Sequence, residues 1–267
     1  MGFSNKKIAV VTGAAGGIGR ATCERLAGNG WDVLAVDIDT ARLDWAQSHA
    51  KIIAYAADVA KEEDNCSMVA EAVSRFGRLD AIILNAGVQG GGGIEDVAIA
   101  DFRRVLDINL VGTVMGIRAA LPALRNSGGG AIAVTSSTMG VAGDSESWAY
   151  AASKHALIGL VRSLSREIGW QGIRINALCP GPTRDTGMTA AIKDLAPAAF
   201  DRMARSVPLQ RWADPDEMAS VLEFLISPAA SYVNGHALVA DGGAMVGTGL
   251  VLPAAGGAPA IPADINH

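Results

Sequence analysis

Tyr150-Ala151-Ala152-Ser153-Lys154 sets a phenol and an ammonium four residues apart in a run that reads as helix. At that spacing the two side chains share one helix face, about 6 Å apart along the axis. A phenol titrates near ~10, and each unit of depression needs about 1.4 kcal/mol of preference for phenolate. An adjacent lysine and a second positive charge bound nearby would together supply that preference and create an acid/base for a reacting hydroxyl. Thirteen residues upstream, Ser137 closes the apolar run Ala131–Ser136, at the sheet edge where open α/β folds place their ligands. Ser136 sits beside it, but its side chain is expected on the opposite face. Taken alone, a Tyr-x-x-x-Lys pair also fits a helix-surface contact, and a strand-end serine also fits a hydroxyl satisfied by backbone.

The second chemical feature is Thr12-Gly13-Ala14-Ala15-Gly16-Gly17-Ile18-Gly19, directly after the first apolar run and leading into a helix through Leu26. Glycines let the backbone turn sharply and approach a pyrophosphate, while the helix N-terminus offers free N–H groups and a positive dipole end. The Gly13, Gly17, Gly19 spacing differs from G-x-G-x-x-G, so its context carries the reading: a strand before, a helix after, and Asp37 eighteen residues past Gly19. An acid there binds both ribose hydroxyls and repels a 2′-phosphate. Neither Gly16 nor Ile38 supplies a cation to offset that repulsion, so NAD is expected over NADP.

These groups must be positioned by a sheet. Seven apolar or β-branched runs recur along the chain: Lys7–Thr12, Asp32–Asp37, Ile52–Ala56, Ala81–Asn85, Ala131–Ser136, Arg174–Leu178 and Ala237–Ala240. Between them lie apolar residues at helical spacing, such as Leu106, Leu110, Val114, Ile117 and Leu121, or Leu157, Leu160, Val161 and Leu164. Alternation of this kind predicts an α/β fold: a doubly wound, seven-stranded parallel sheet with helices on both faces. The uninterrupted apolar runs suit strands buried on both sides. No linker divides residues 1–267, so a single dinucleotide-binding domain is expected. The proline-rich stretch 182–215 would form a small substrate lobe, and 244–267 an Ala/Gly/Pro-rich tail.

Composition excludes several function classes. Of the 267 residues, 50% are hydrophobic and 18% charged, and the net charge is −5. No global basic field is present to attract nucleic acid or anionic lipid. Cys23, Cys66 and Cys179 are odd in number and far apart, which gives neither a disulfide framework nor metal-ligand spacing. Ile8–Thr12 is too short for a signal sequence, so a cytoplasmic protein is expected. The long uncharged stretch Gly242–Ala263 is broken by glycines and prolines, which argues against a membrane span. Glycine is over-represented at 32 residues, against an average of about 7%, and much of the excess falls in the motifs.

From Lys6 to about Gly243 the sequence resembles the short-chain dehydrogenase/reductase family. The resemblance rests on ordered motifs: Thr12–Gly19, Asp58-Val59, Asn85-Ala86-Gly87, Asn109, Ser137, Tyr150-x-x-x-Lys154, Pro180-Gly181 and Asp241-Gly242-Gly243. It implies strand order 3-2-1-4-5-6-7 and nicotinamide-dependent interconversion of alcohols and ketones. It also implies that Tyr150 is the acid/base, that Lys154 holds the nicotinamide ribose and lowers the tyrosine pKa, and that Ser137 hydrogen-bonds the substrate oxygen. Asn109 would anchor a water in a proton relay. Cofactor contacts are then expected from Gly13, Gly17, Ile18, Gly19, Asp37, Asp58, Val59, Asn85, Ala86, Gly87, Tyr150, Lys154, Pro180 and Gly181. Relatives often carry a threonine four residues past the Pro-Gly glycine, where this chain has Asp185; Thr183 or Thr186 would substitute, and Thr183 is the expected contact.

Expected substrate contacts are Gln89, Ser137, Met139, Trp148 and Met188, with Thr138 as a further wall residue. With few charges among them they suit a neutral secondary alcohol or ketone, cyclic or aromatic, although a tryptophan and methionines such as Trp148, Met139 and Met188 more often serve ordinary packing than ligand contact. Gly90–Gly93 would leave that side of the cleft mobile or roomy. Two other functions compete. A 3-oxoacyl carrier-protein reductase would use Arg162 and Arg166 as a patch for an acidic carrier, but Asp37 opposes its usual NADPH. A non-catalytic NAD-binding sensor or scaffold would have no need of the Ser137, Tyr150, Lys154 set. The resemblance further implies a homotetramer, pairing helices around Leu106–Leu124 and Trp148–Gly169 across a two-fold axis.

Overall fold

The structure is a computed structural model that describes residues 6–247. Its elements alternate from the start. Strand β1 (Ile8–Thr12) is followed by helix α1 (Gly17–Gly28), β2 (Asp32–Asp37), a 3-10 segment (Thr40–Ser48), β3 (Ile52–Ala56), α2 (Glu62–Phe76) and β4 (Ala81–Leu84). A long helical run then passes through α3 (Ile99–Leu106), a π-helical turn (Asp107–Val111) and α4 (Gly112–Asn126). The second half holds β5 (Gly130–Thr135), α5 (Trp148–Ile168), β6 (Ile173–Pro180), α6 (Ala190–Leu195), α7 (Pro197–Ser206), α8 (Pro215–Ile226) and β7 (Ala237–Ala240). The seven strands form one sheet in the order β3-β2-β1-β4-β5-β6-β7, and all six strand pairs are parallel.

Strand alternation sorts the core by side-chain size. Ala9, Val11, Val33, Ala35, Ala81, Ile83, Ala131 and Ala133 face one layer, which is closed by Cys23 and Leu26 of α1 and by Met218, Leu222 and Leu225 of α8. Their successors Val10, Leu34, Val36, Ile82, Leu84, Ile132 and Val134 face the other, with Met68 of α2, Ile117 and Leu124 of α4, and Leu157 and Val161 of α5. Small residues on the first face let α1 and α8 approach closely, and larger ones fill the space under α2, α4 and α5. Each fully buried Ile or Leu contributes about 1.5–3 kcal/mol of transfer free energy. The strands are therefore committed on both faces, and chemistry is left to their ends.

Those ends fall slightly short of the apolar runs. β4 stops at Leu84 and β5 at Thr135, so Asn85, Ser136 and Ser137 stand just past the ladder, and β6 continues to Pro180. The run expected as one helix from Leu106 to Leu124 is helical but contains the π turn. There the Thr113 hydroxyl donates to the Asn109 carbonyl at 2.8 Å. By length and mean hydropathy (1.3) Ile99–Asn126 is apolar enough to cross a bilayer, yet its Ile117, Ala120 and Leu124 are buried among the large side chains under the sheet.

The irregular 182–215 stretch folds into α6 and α7 and is tied back by Trp212. That ring stacks on Phe200 at 4.5 Å, and its indole N–H donates to the Phe200 carbonyl. Of the tail expected from 244 onward, residues 248–267 lie outside the described residues. All three cysteines are free; Cys23 and Cys179 are buried and Cys66 is exposed.

Candidate active site

The turn between β1 and α1 requires the absence of side chains. Gly13 (φ +69°) and Gly17 (φ +53°) are left-handed, a backbone state that disfavours a Cβ. A Cβ on Gly13 would lie 2.9 Å from the Asn85 amide and from the Ala86 backbone, and one on Gly19 would overlap the Gly13 carbonyl. The turn is fastened to the end of β4: the Thr12 hydroxyl accepts the N–H groups of Asn85 (3.0 Å) and Ala86 (3.1 Å). The Asn85 amide in turn donates to the carbonyls of Thr12 and Gly13. The result is a glycine cradle at the start of α1, with Ile18 in its first turn. Such a cradle fits a dinucleotide pyrophosphate.

Asp37, at the end of β2, reaches this turn. Its carboxylate accepts the N–H of Ala15 at 2.9 Å and of Asp39 at 3.1 Å. The next loop begins with Asp58, whose carboxylate accepts the Ala60 N–H; the Val59 carbonyl accepts the Asn65 amide and lies against Gly112. Pro180 and Gly181 face the Asp241 turn. The Gly181 N–H donates to Ala240, and a Cβ on Gly181 would meet the Asp241 backbone at 2.6 Å.

Ser137, Tyr150, Lys154 and Asn109 converge at the carboxyl end of β4 and β5. Ser137 precedes the short 3-10 turn Thr138–Gly140 and accepts the Met139 N–H at 3.1 Å. Ser136 is spent on structure: its hydroxyl donates to the Lys154 carbonyl at 2.9 Å and pins α5 to the sheet. One turn apart on α5, the Lys154 ammonium lies 5.4 Å from the centre of the Tyr150 ring and donates to the Thr135 carbonyl at 2.8 Å. The fully buried Asn109 accepts the Val88 N–H (2.8 Å) and donates to the Val88 carbonyl (2.9 Å) and the Ser153 hydroxyl (3.0 Å). Gly87 lies between them; a Cβ there would be 3.2 Å from the Asn109 side-chain amide oxygen and 3.4 Å from the Lys154 ammonium.

Burial governs the electrostatics. It pushes the Tyr150 phenol up to about 12, and the Ser137 hydroxyl facing it is the opposing influence. The same burial lowers Lys154 to about 8. Both groups are driven toward their neutral forms. The tyrosine depression expected from Lys154 is therefore not supplied by the polypeptide by itself.

The remaining candidates divide. Trp148 is half-buried, its ring against Phe102 of α3 at 5.1 Å, and its buried indole nitrogen has no hydrogen-bond partner among the described residues. Met139 and Met188 are half-buried and Gln89 is exposed. Gly90 packs on Val105, and the Gly92 N–H donates to the Glu146 carbonyl, so part of the glycine run is spent holding this loop to the start of α5. Thr183 is buried, with its hydroxyl on the Gly181 carbonyl. Thr186 instead lies against the glycine turn, its Cα 3.0 Å from a Cβ on Gly17.

Two contributors escaped the sequence reading. Ser153 braces Asn109, and its position inside the Tyr-x-x-x-Lys run was the available signal. Arg42 extends its guanidinium to 3.0 Å from a Cβ placed on Gly16. It lies five residues past Asp37, in a segment that folds back on the turn, and not at Gly16 or Ile38, the positions where a compensating cation would be expected from the sequence.

A family model described as enoyl-(acyl carrier protein) reductase matches residues 13–245. Levodione reductase of Leifsonia aquatica is 34% identical over 89% of this chain and 93% of its own. Cyclohexanol dehydrogenase of an Acinetobacter species is 36% identical over 89% of this chain and 94% of its own. For 2,5-dichloro-2,5-cyclohexadiene-1,4-diol dehydrogenase of Sphingobium indicum the figures are 36%, 89% and 96%. The crystal structure of levodione reductase superposes with a TM-score of 0.85 at 34% identity, covering 89% of this chain and 96% of that one. The sheet order, the glycine cradle and the match over most of the chain lead to one conclusion: the chain belongs to the short-chain dehydrogenase/reductase family of oxidoreductases.

Proposed function

We propose that the chain interconverts a neutral secondary alcohol and its ketone, with NAD as the cofactor and Tyr150 as the acid/base. The observation that carries this reading is the convergence of Ser137, Tyr150 and Lys154 at the end of β5. NAD, when bound, supplies the hydride acceptor, or as NADH the donor. Ser137 holds the substrate oxygen, Tyr150 accepts the carbinol proton in oxidation and returns it in reduction, and Lys154 stabilises the phenolate and binds the ribose. Asn109 braces the π turn against Val88 and Ser153 and holds the exit of the proton path.

Cofactor contacts are assigned to Gly13, Gly17, Ile18, Gly19, Asp37, Asp58, Val59, Asn85, Ala86, Gly87, Pro180 and Gly181. On the nicotinamide side Thr186 joins Thr183, because it lies against the cradle. Asp37 favours NAD by repelling a 2′-phosphate. The substrate lies among Gln89, Met139, Trp148 and Met188 under the 182–215 lobe. The names of the cyclohexanol and cyclohexadiene-diol dehydrogenases favour a six-membered cyclic alcohol, which suits this apolar wall. We further assign residues 1–267 to one cytoplasmic catalytic domain that assembles as a homotetramer, a state that sedimentation would measure directly.

The deciding experiment is an NAD-reduction screen over cyclohexanol, cyclohexanediols and open-chain secondary alcohols, with acetoacetyl thioester plus NADPH in parallel. Turnover of cyclic alcohols that is lost in Tyr150→Phe is expected. Turnover of the thioester alone would instead assign the chain to carrier-protein reduction. Tight NAD binding with no turnover of any alcohol or ketone would point to a sensor.

A further inference from the structure

A cavity of about 590 Å³ opens beside the glycine turn, lined among others by Gly16, Arg20, Glu24, Arg42, Trp45 and Asp185. Most of its charges are already matched. Arg20 pairs with Glu24 at 2.9 Å and lies over the Trp45 ring, and Asp185 lies 3.8 Å from Arg184. Arg42 differs: among the described residues no carboxylate lies within ion-pair distance of its guanidinium. Asp39 caps the segment that carries it, accepting the Arg42 N–H. The Arg42 side chain comes so close to Gly16 that a Cβ there would be 3.0 Å from it. The Asp37 carboxylate meets the same turn one residue earlier, at the Ala15 N–H. An acid and a guanidinium without a carboxylate partner among the described residues thus bracket Ala15-Gly16, where the adenosine ribose of a dinucleotide would lie.

We propose that Arg42 is a cofactor-specificity residue that lets the protein bind a 2′-phosphorylated dinucleotide, NADP, as a second cofactor beside NAD. This rests on the reading of the glycine turn as a nicotinamide-dinucleotide site. Asp37 opposes the added phosphate by charge repulsion, and Arg42 offsets it with forked, charge-assisted hydrogen bonds to phosphate oxygens. A lysine would keep the charge and lose the fork. The outcome is a preference for NAD set by two opposed side chains, rather than exclusion of NADP.

The test is equilibrium binding of NAD, NADP, AMP and adenosine 2′,5′-bisphosphate to the full chain, by calorimetry, so that no turnover is needed. Wild type, Arg42→Ala, Arg42→Lys and Asp37→Ala are compared. Arg42→Ala is expected to weaken NADP and the bisphosphate about tenfold or more while moving NAD and AMP less than about threefold, the scale of a lost charge-assisted hydrogen bond. Arg42→Lys should recover part of the loss, and Asp37→Ala should tighten NADP. A wild type that binds NAD while its NADP affinity is indifferent to Arg42, or Arg42→Ala weakening both dinucleotides equally, overturns the inference alone. A wild type that binds neither dinucleotide overturns the nicotinamide reading and this inference with it.

Discussion

The Lys154 ammonium lies 5.4 Å from the centre of the Tyr150 ring while it donates to the carbonyl of Thr135. Proximity alone has not made the tyrosine acidic. Burial drives the phenol up to about 12 and the ammonium down to about 8, so the protein starts with an acid that holds its proton. The chain contains only three tyrosines, so the difference between wild type and Tyr150→Phe isolates this phenol in an ultraviolet titration. Without nucleotide that difference should show no phenolate below about pH 11, and addition of oxidised NAD should move it down. If the free protein already titrates near neutrality, the burial argument fails. Tyr150→Phe should lower kcat about 10²–10⁴-fold and leave NADH affinity nearly unchanged.

Lys154 makes stability depend on alkaline pH with a definite sign. Its folded value, about 8, lies below the ordinary 10.5. Between those values the unfolded chain binds the proton and the folded chain does not, so stability rises with pH there. In Lys154→Met this contribution is gone. The unfolding free energy of wild type minus variant should climb by about 1.4 kcal/mol per pH unit from pH 8 toward 10. Urea melts of both proteins at several pH values check it, and a flat difference would mean that burial does not depress the ammonium.

Ser136 and Ser137 are neighbours with separable duties. Ser136 donates to the Lys154 carbonyl from a fully buried position, so Ser136→Ala should cost about 1–3 kcal/mol of stability, because that carbonyl loses a partner. Ser137 faces the phenol and caps the 3-10 turn through the Met139 N–H, so Ser137→Ala should lower kcat about a hundredfold while costing no more than a lost cap, about 1 kcal/mol. Steady-state kinetics and urea melts on both variants would expose the opposite pattern, which would exchange their roles.

What was legible in the sequence follows from how local each signal was. The strands are short apolar runs buried on both faces, so composition alone marked them. Tyr150 and Lys154 needed only helical spacing, and Gly13 and Gly17 only the demand for left-handed backbone. Other features depended on chain return. Arg42 is remote from Gly16 along the chain and reaches it only because Thr40–Ser48 folds back from β2. Trp148 packs on Phe102 because α3 lies against α5, a contact no periodicity records. The π turn at Asp107–Val111 is invisible to apolar spacing, which tolerates one extra residue per turn.

That π turn supplies a further prediction. Asn109 spends both amide hydrogens and its carbonyl oxygen on Val88 and Ser153, so it holds the Gly87-Val88 loop at a fixed distance from Lys154. Asn109→Ala would leave the half-buried Val88 N–H and carbonyl without their side-chain partner, and the Ser153 hydroxyl with only its bond to the Tyr150 carbonyl. The expected cost is about 2–4 kcal/mol of stability, and kcat should fall because the loop against Lys154 loosens. Thr113→Val removes only the bond to the Asn109 carbonyl and should cost less, about 1 kcal/mol. Urea melts rank the two variants and kcat separates positioning from stability. If Asn109→Ala lost stability while kcat was retained at a temperature where the variant stays folded, Asn109 would be a structural brace with no part in the reaction.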